Sequence, residues 1–284
     1  MQLVPNTFSS PAVRRGRPPL SPEARSEARE RRRFEQDLRA ATEQQSFVLH
    51  YQPRLALRSG RVVAAEALIR WPHSRRGLVP PASFIPFAEE TGLITPIGGW
   101  VLRHAGAEAA TWPEEIGLSV NVSARQLHDG ALARQVASAL EDGRLPPERL
   151  ELELTESMLV QVSEETLLTL SAIRDLGVGI ALDDFGTGYA SLAMLRRLPL
   201  TVMKIDRSLV AGVTTDREDR AIVRAVVATG RAIGLTVVAE GIETEAQRDF
   251  LADIDCDQGQ GYLFSRPVPP SELQRSFGPT LTRQ

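Results

Sequence analysis

Two aspartates stand side by side in the stretch ALDDFGTGYASL, which covers residues 181–192. Asp183 and Asp184 follow a short apolar run and come directly before a glycine-rich turn. Adjacent carboxylates repel each other unless a positive charge lies close to both of them, and a bound cation is the simplest such charge. The pair therefore predicts a cation site at the end of an apolar strand.

Other apolar runs also end in, or contain, a side chain that can bind a metal or assist a reaction. They are Glu66 in VVAAEAL, Asn121 in LSVNVS, Glu153 in LELELTES, Lys204 in VMKID, Glu240 in LTVVAEG and Gln260 before GYLF. Oxygen ligands without histidine or cysteine favour magnesium, manganese or calcium ions. Paired ions of this kind are a common device for phosphodiester hydrolysis, because they activate a water and stabilise the attacking and leaving oxygens.

Lys204 would orient that water or offset charge in the transition state. Taken singly, a carboxylate at such a position is more often a helix cap or an ion-pair partner than a metal ligand. The prediction of a metal site therefore depends on the whole set, and the set alone does not name a substrate.

These side chains need a scaffold that brings strand ends together. From Phe47 onward, short β-rich runs alternate with amphipathic helical runs over roughly 230 residues, a pattern typical of a parallel sheet covered by helices. About eight repeats predict an α/β fold of the TIM-like (β/α)8 barrel type, in which the carboxyl ends of the strands converge on one mouth. An open doubly wound sheet is the alternative.

The composition narrows the class of protein. The chain has 284 residues, of which 42% are hydrophobic and 24% charged, and its formal net charge is -3. This balance argues against a nucleic-acid binder, which usually carries a basic excess, so no DNA partner is expected. Cys256 is the single cysteine, which excludes an internal disulfide and a cysteine-based zinc site. Neither a signal-peptide core nor a membrane-spanning stretch is found, so a cytoplasmic location is expected.

The N-terminal part differs in composition from the rest. Residues 1–20 are rich in proline, serine, glycine and arginine, which predicts a disordered basic tail. Residues 21–46 are expected to form a connector helix, because Ser21 can cap it, Pro22 suits its first turn, and glutamate and arginine alternate at helical spacing.

The stretch EALIRW at residues 66–71 resembles the signature of the EAL domain, the cyclic di-GMP phosphodiesterase family. Further blocks match that family in the same order: FVLHYQP, GLVPPASFIPFAEETGLI, VNVSARQL, LELELTES, ALDDFGTGYASL, KIDRSLV, VVAEGIET and QGYLFSRP. The resemblance covers residues 38–277 and leaves 278–284 as a C-terminal tail. It implies a TIM-like barrel whose first strand is antiparallel, and hydrolysis of cyclic di-GMP to linear pGpG. It also implies Mg2+ or Mn2+ as cofactor, with two ions bound and Ca2+ inhibitory.

The resemblance also implies roles for individual positions. The implied metal ligands are Glu66, Asn121, Glu153, Asp183, Asp184 and Glu240. The implied catalytic residues are Glu66, Asp184, Lys204, Glu240 and Gln260, and the implied substrate contacts are Gln52, Leu68 and Arg70. A regulatory loop is implied at Phe185, Gly186, Thr187 and Gly188, with Glu156 as the acid that holds it.

Two further classes of function stay open at this point. EAL domains that have lost ligands serve as cyclic di-GMP receptors without turnover or as protein-interaction modules, whereas none of the matched catalytic positions is substituted here. The resemblance also implies a homodimer, and possible regulation by an upstream sensor, GGDEF domain or separate protein.

Overall fold

The computed structural model describes residues 22–159, 162–186, 188 and 192–277. The predicted N-terminal tail at 1–20, the C-terminal tail at 278–284 and Thr187 of the predicted regulatory loop lie outside the described residues.

Within the described part of the chain, nine strands form one sheet that closes on itself. They are β1 (Val48–Ala56), β2 (Val62–His73), β3 (Gly77–Val79), β4 (Gly117–Asn121), β5 (Leu150–Thr155), β6 (Gly179–Phe185), β7 (Val202–Ile205), β8 (Thr236–Ala239) and β9 (Gln258–Gly259). The order is β1-β9-β8-β7-β6-β5-β4-β2-β3, and an additional pairing of β1 with β2 completes a barrel of eight strands, with β3 attached to β2 outside it. This confirms the predicted TIM-like barrel and excludes the open doubly wound sheet.

The direction of the first strand is also confirmed. β1 is antiparallel to both of its neighbours, β2 and β9. All other neighbouring pairs in the barrel are parallel. Seven strands therefore point their carboxyl ends at the same mouth, whereas β1 points its amino end there.

Helices cover the outside of the barrel. They are α1 (Pro22–Glu43), α2 (Ile85–Thr91), α3 (Ile94–Ala109), α4 (Ala124–His128), α5 (Leu132–Gly143), α6 (Glu164–Asp175), α7 (Leu192–Leu195), α8 (Arg207–Gly212), α9 (Arg217–Ala232), α10 (Glu245–Asp253) and α11 (Pro270–Leu273). Short 3-10 turns lie at Pro81–Ser83, Pro147–Arg149, Glu156–Leu159 and Gln274–Phe277. Polar caps fix several helix starts; the Asp216 carboxylate, for example, accepts the backbone N–H groups of Glu218 and Asp219. Among the described residues, no helix combines the length and apolarity needed to cross a bilayer.

The predicted connector helix is shorter at its C-terminal end than the sequence suggested. Helix α1 ends at Glu43 rather than 46, because Gln45 adopts a left-handed conformation with φ of 53° that stops the helix. Its second half packs on the barrel. Leu38 is fully buried, and the Phe34 ring meets the Trp71 ring edge-on at a centroid distance of 5.2 Å.

Side chains alternate between the two faces of each barrel strand. One face packs against the helices and makes the main core. Ala181, Val202 and Val238 form a separate small cluster, because they point into the barrel. Two positions nearer the mouth, the next residues on this face are Asp183 on β6, Lys204 on β7 and Glu240 directly after β8.

Candidate metal centre and its cavity

Lys204 lies at the centre of a group of carboxylates at the barrel mouth. The side chain is fully buried, with 0% of its surface exposed. The distances from its Nζ are 2.6 Å to Glu240 Oε1, 2.8 Å to Glu153 Oε2, 3.3 Å to Asp183 Oδ1 and 3.8 Å to Glu66 Oε2. Lys204 is the only lysine in the sequence. Because lysine occurs only once, its presence at a strand end indicates a functional role more strongly than the position alone.

Two amides fix both oxygens of Glu66. Asn121 Nδ2 donates to Glu66 Oε1 at 2.7 Å, and Gln260 Nε2 donates to Glu66 Oε2 at 2.7 Å. Gln260 Nε2 also donates to Gln52 Oε1 at 3.0 Å, and Gln52 Nε2 donates to the Ser265 carbonyl at 3.0 Å. This chain of hydrogen bonds sets the orientation of the Glu66 carboxylate before any ligand binds.

The charges of Glu66 and Lys204 support each other. Burial opposes ionisation of Glu66, but Lys204 and the hydrogen bonds from Gln260 and Asn121 outweigh it and lower the pKa of Glu66. Burial likewise opposes ionisation of Lys204, but the surrounding carboxylates, Glu153 first among them, raise its pKa well above the usual value. Both groups are therefore charged at neutral pH.

The pKa values of the remaining acids show that the single positive charge of Lys204 does not offset all the negative charge at the mouth. Burial and the neighbouring Glu66 charge raise the pKa of Glu153 well above the usual range. Burial is also the main reason that the pKa of Glu240 is raised to about 7, with Asp183 adding to it. Burial and Asp183 raise the pKa of Asp184 as well. Further positive charge would stabilise the ionised forms of all three acids.

A bulge in β6 turns both aspartates of the opening motif toward the same region. The pairing of β6 with β7 shifts register between Leu182 and Phe185, so an irregular step falls at the two aspartates. Asp184 has a left-handed backbone with φ of 58°, and its N–H donates to Asp183 Oδ1 at 3.0 Å. A regular strand would send neighbouring side chains to opposite faces, so the bulge lets both carboxylates serve one site.

The oxygen atoms at the mouth fit a divalent cation. One carboxylate oxygen from each of Asp183, Asp184 and Glu240 lies within 4.8 Å of the others. Glu153 Oε1 is buried and has no hydrogen-bond partner among the described residues. A buried carboxylate oxygen without a donor is costly, and a cation is the natural partner for it. The acidic cluster can therefore bind a metal.

A cavity of about 200 Å³ opens beside this cluster. Its lining includes six of the predicted site residues: Gln52, Glu66, Leu68, Asp183, Glu240 and Gln260. Arg70, predicted as a substrate contact, is not part of the lining. Its Nη1 donates to the Ile69 carbonyl at 2.9 Å.

Besides two glycines, the lining contains three residues that the sequence analysis did not predict: Arg207, Glu243 and Tyr262. Each follows a strand end by only a few positions, which is the signal that would have found them. The Tyr262 side chain is 52% exposed, and the Arg266 guanidinium lies 4.2 Å from the centre of its ring. The cavity therefore has a cation and an aromatic face beside the carboxylates, which suits a ligand with phosphates and bases.

The predicted loop acid and the predicted loop meet. Glu156 Oε2 accepts the Gly186 N–H at 3.0 Å. Gly186 has φ of +103°, and a Cβ atom at this position would lie 2.4 Å from Leu209 Cδ1. Phe185 packs against the main core, and Gly188 lies close to the Glu156 carboxylate. The end of β6 is thus tied to the end of β5 through Glu156.

Residues 35–267 match the family model described as EAL domain. The bifunctional diguanylate cyclase/cyclic di-GMP phosphodiesterase MucR of Pseudomonas aeruginosa is 43% identical over 253 residues, which are 88% of this chain and 37% of MucR. The cyclic di-GMP phosphodiesterase PdeR of Escherichia coli is 38% identical over 250 residues, which are 87% of this chain and 38% of PdeR. This chain thus spans little more than a third of the length of either relative.

Solved structures agree with this assignment. The PaMucR phosphodiesterase in complex with c-di-GMP superimposes with a TM-score of 0.81 at 43% identity, covering 85% of this chain and 99% of that chain. The EAL domain of Mycobacterium smegmatis DcpA superimposes with a TM-score of 0.69 at 40% identity, covering 81% and 96% respectively.

Proposed function

This chain belongs to the EAL domain family, and we propose that it is a phosphodiesterase that hydrolyses cyclic di-GMP to linear 5′-pGpG, lowering the level of this bacterial second messenger. The observation that carries the proposal is the complete polar mouth, in which a fully buried Lys204 contacts four carboxylates beside an acidic cluster. Relatives named as cyclic di-GMP phosphodiesterases support the choice of substrate.

In this proposal the mouth holds two divalent cations, Mg2+ or Mn2+. Their ligands are Glu66, Asn121, Glu153, Asp183, Asp184 and Glu240. Asn121 uses its amide nitrogen for Glu66, which leaves its amide oxygen for a cation. When bound, the cations supply Lewis-acid activation of a water and of the phosphodiester. Ca2+ is expected to inhibit, because it prefers longer bonds and more ligands than the two active ions.

The chain's own residues position the reactants. Lys204 holds the attacking water through its ammonium group and offsets negative charge that develops on the phosphate. Glu240, whose carboxylate lies 2.6 Å from Lys204 Nζ, is placed to accept the proton of a water held by that ammonium group. The water oxygen bonds to phosphorus, and one bond from phosphorus to a ribose 3′ oxygen breaks. That oxygen leaves as a hydroxyl by taking up one proton, which balances the proton that Glu240 accepts from the water. Gln260 keeps Glu66 in place throughout.

Substrate contacts are proposed at Gln52, Leu68 and Arg70, with Arg207 and Tyr262 added from the cavity lining. Arg70 and Arg207 supply guanidinium groups for phosphate oxygens or guanine edges. Tyr262 supplies a flat face for a base.

We further propose a homodimer that is regulated through the loop at 185–188 and Glu156, with input from an upstream sensor, GGDEF domain or separate protein. The hydrogen bond from the Gly186 N–H to Glu156 supports the regulatory part of this proposal, because Glu156 directly follows the strand that carries Glu153. The proposed division of the chain stays a tail at 1–20, a connector at 21–46, an EAL domain at 38–277 and a tail at 278–284. The proposed location is the cytoplasm.

A turnover assay tests the function. Purified protein is incubated with cyclic di-GMP and Mg2+ or Mn2+, and pGpG is separated by chromatography. Product is expected from the wild type and from Asp253→Asn, which removes an exposed carboxylate from α10, but not from Glu66→Ala. Binding of cyclic di-GMP without product under all metal conditions would assign the chain to the receptor class. Failure to bind the dinucleotide would reject both functions and leave a protein-interaction module.

A further inference from the structure

A buried ion pair lies one step below the carboxylates of the mouth. Arg54 Nη1 donates to Glu151 Oε1 at 2.7 Å, and Nη2 donates to Glu151 Oε2 at 3.4 Å. The Ser119 hydroxyl donates to Glu151 Oε1 at 3.0 Å. Arg54 belongs to β1 and Glu151 to β5, and these strands are not neighbours in the sheet. The pair therefore crosses the interior of the barrel.

The pair is aligned with the mouth on both strands. Arg54 is two residues from Gln52 on β1, and Glu151 is two residues from Glu153 on β5. Alternate residues of a strand face the same side and are about 7 Å apart along it. A buried charge at the next inward position from a carboxylate ligand acts on that ligand through a medium of low polarity, so it changes the binding of a divalent cation.

The pair adjoins an apolar cluster and a second cavity. Ala181 on β6, Val202 on β7 and Val238 on β8 form the apolar cluster. Below the pair lies a cavity of about 440 Å³ at the opposite end of the barrel, which both Arg54 and Glu151 line. The ion pair therefore separates the mouth from that second opening.

Arg54 is a cation whose charge acts on Glu66 at the mouth, and Glu151 offsets part of that charge. Its guanidinium is charged at every accessible pH. A free positive charge here would favour ionised carboxylates above it but would repel a bound divalent cation, which carries twice the charge of a proton.

We propose that Arg54 and Glu151 are positioning residues that set the affinity of the mouth for its divalent cation, with Glu151 screening the cation from the Arg54 charge. The inference rests on the proposed metal-dependent function. It predicts that the two members of the pair act on metal affinity in opposite directions, although loss of either one breaks the same ion pair.

Direct binding of Mn2+ to the full chain, followed by the EPR signal of free Mn2+, tests this without using turnover. Glu151→Gln keeps the shape and a hydrogen-bond acceptor for Arg54 but removes the negative charge, and it is expected to weaken Mn2+ binding about tenfold or more. The double variant Arg54→Gln with Glu151→Gln removes both charges and is expected to bind within about threefold of the wild type. Glu148→Gln removes an exposed carboxylate at the rim of the lower cavity and, because water screens it, should leave binding unchanged.

The outcomes separate charge from packing. Unaltered binding by Glu151→Gln, or a double variant as weak as Glu151→Gln, would overturn the inference while leaving the proposed function intact. A wild type that binds no Mn2+ would overturn the proposed function and this inference with it. If Glu151→Gln does not fold, Arg54→Gln decides the question, since it must bind Mn2+ at least as tightly as the wild type and weaker binding would contradict the inference.

Discussion

Replacement of Lys204 by methionine should make the stability of this barrel depend on metal. Methionine keeps an unbranched chain of similar length but removes the ammonium group. Lys204 Nζ is the positive group within 3.8 Å of four carboxylate oxygens from Glu66, Glu153, Asp183 and Glu240. Without it these acids lose their common partner.

The expected loss follows from the burial of the cluster. Removing one partner of a buried ion pair costs about 3–5 kcal/mol, because the other partner is left charged in a medium of low polarity. Domains of this kind are stable by about 5–15 kcal/mol, so Lys204→Met should fold with a reduced margin. The acids respond by binding protons, which makes the folded pKa of each higher than its unfolded value. Their penalty is therefore present above the unfolded pKa and disappears as the pH falls below it, so the variant should approach the wild type near pH 5 and differ most near pH 8.

Urea unfolding at pH 8, with chelator and with saturating Mn2+, measures both effects. A ligand at 100 times its Kd adds about 2.7 kcal/mol to the free energy of unfolding. The gain should be larger for Lys204→Met than for the wild type, because the variant no longer opposes the cation with a positive charge. Turnover should be lost in the variant even with Mn2+ bound. Arg197→Met, which removes an exposed cation, is the matched control. Equal urea midpoints for Lys204→Met and wild type in chelator would refute the reasoning.

Three further outcomes are expected. Gly186→Ala should lower the free energy of unfolding in urea by about 1–3 kcal/mol and should also lower turnover. The φ of +103° and the distance of 2.4 Å from a Cβ atom to Leu209 both disfavour alanine here. A variant with the wild-type midpoint and rate would contradict this. Cys256 is 4% exposed, and burial raises the pKa of its thiol to about 12. Iodoacetamide at pH 8 should therefore label it in urea but not in the native protein. Rapid labelling of the native protein would show that the thiol is accessible. With [15N]lysine the chain gives one side-chain Nζ resonance, from Lys204, which should shift when Mg2+ is added; an unchanged resonance would place the cation elsewhere.

Much of the fold follows from the sequence because strand–helix alternation allows few architectures. The same alternation does not show how a barrel closes, since pairing of β1 with β9 depends on residues more than 200 positions apart, such as Leu55 and Gly259. Residue type at strand ends located the carboxylates of the mouth. The β6 bulge that lets Asp183 and Asp184 act together is a matter of register with β7, which no local pattern specifies.

The ion pair of Arg54 with Glu151 and the position of Tyr262 at the cavity could not be predicted from local sequence patterns either. Arg54 lies in the β-rich stretch FVLHYQPRLAL, and Glu151 lies in the β-rich stretch LELELTES. That the two side chains meet depends on the closed barrel, because only closure brings the interiors of β1 and β5 face to face. Tyr262 follows Gln260 after the strand has ended, and its orientation toward the cavity is set by the turn and by Arg266.

Because β1 is antiparallel to its neighbours, the short stretch from Gln52 to Arg54 contributes side chains at two depths of the barrel. In a parallel strand, the residue nearer the mouth comes later in the sequence, as Glu153 comes after Glu151 on β5. In β1 the order is inverted, so Gln52 lies level with Glu66 and Arg54 lies level with Ala64. Gln52, which accepts a hydrogen bond from Gln260, therefore comes before Arg54 in the sequence. Arg54 is the residue that pairs with Glu151. A parallel β1 with the same sequence would bring the Arg54 charge to the mouth, where it would compete with Lys204 and any bound cation for the same carboxylates. The direction of this strand is thus part of the electrostatic arrangement of the site.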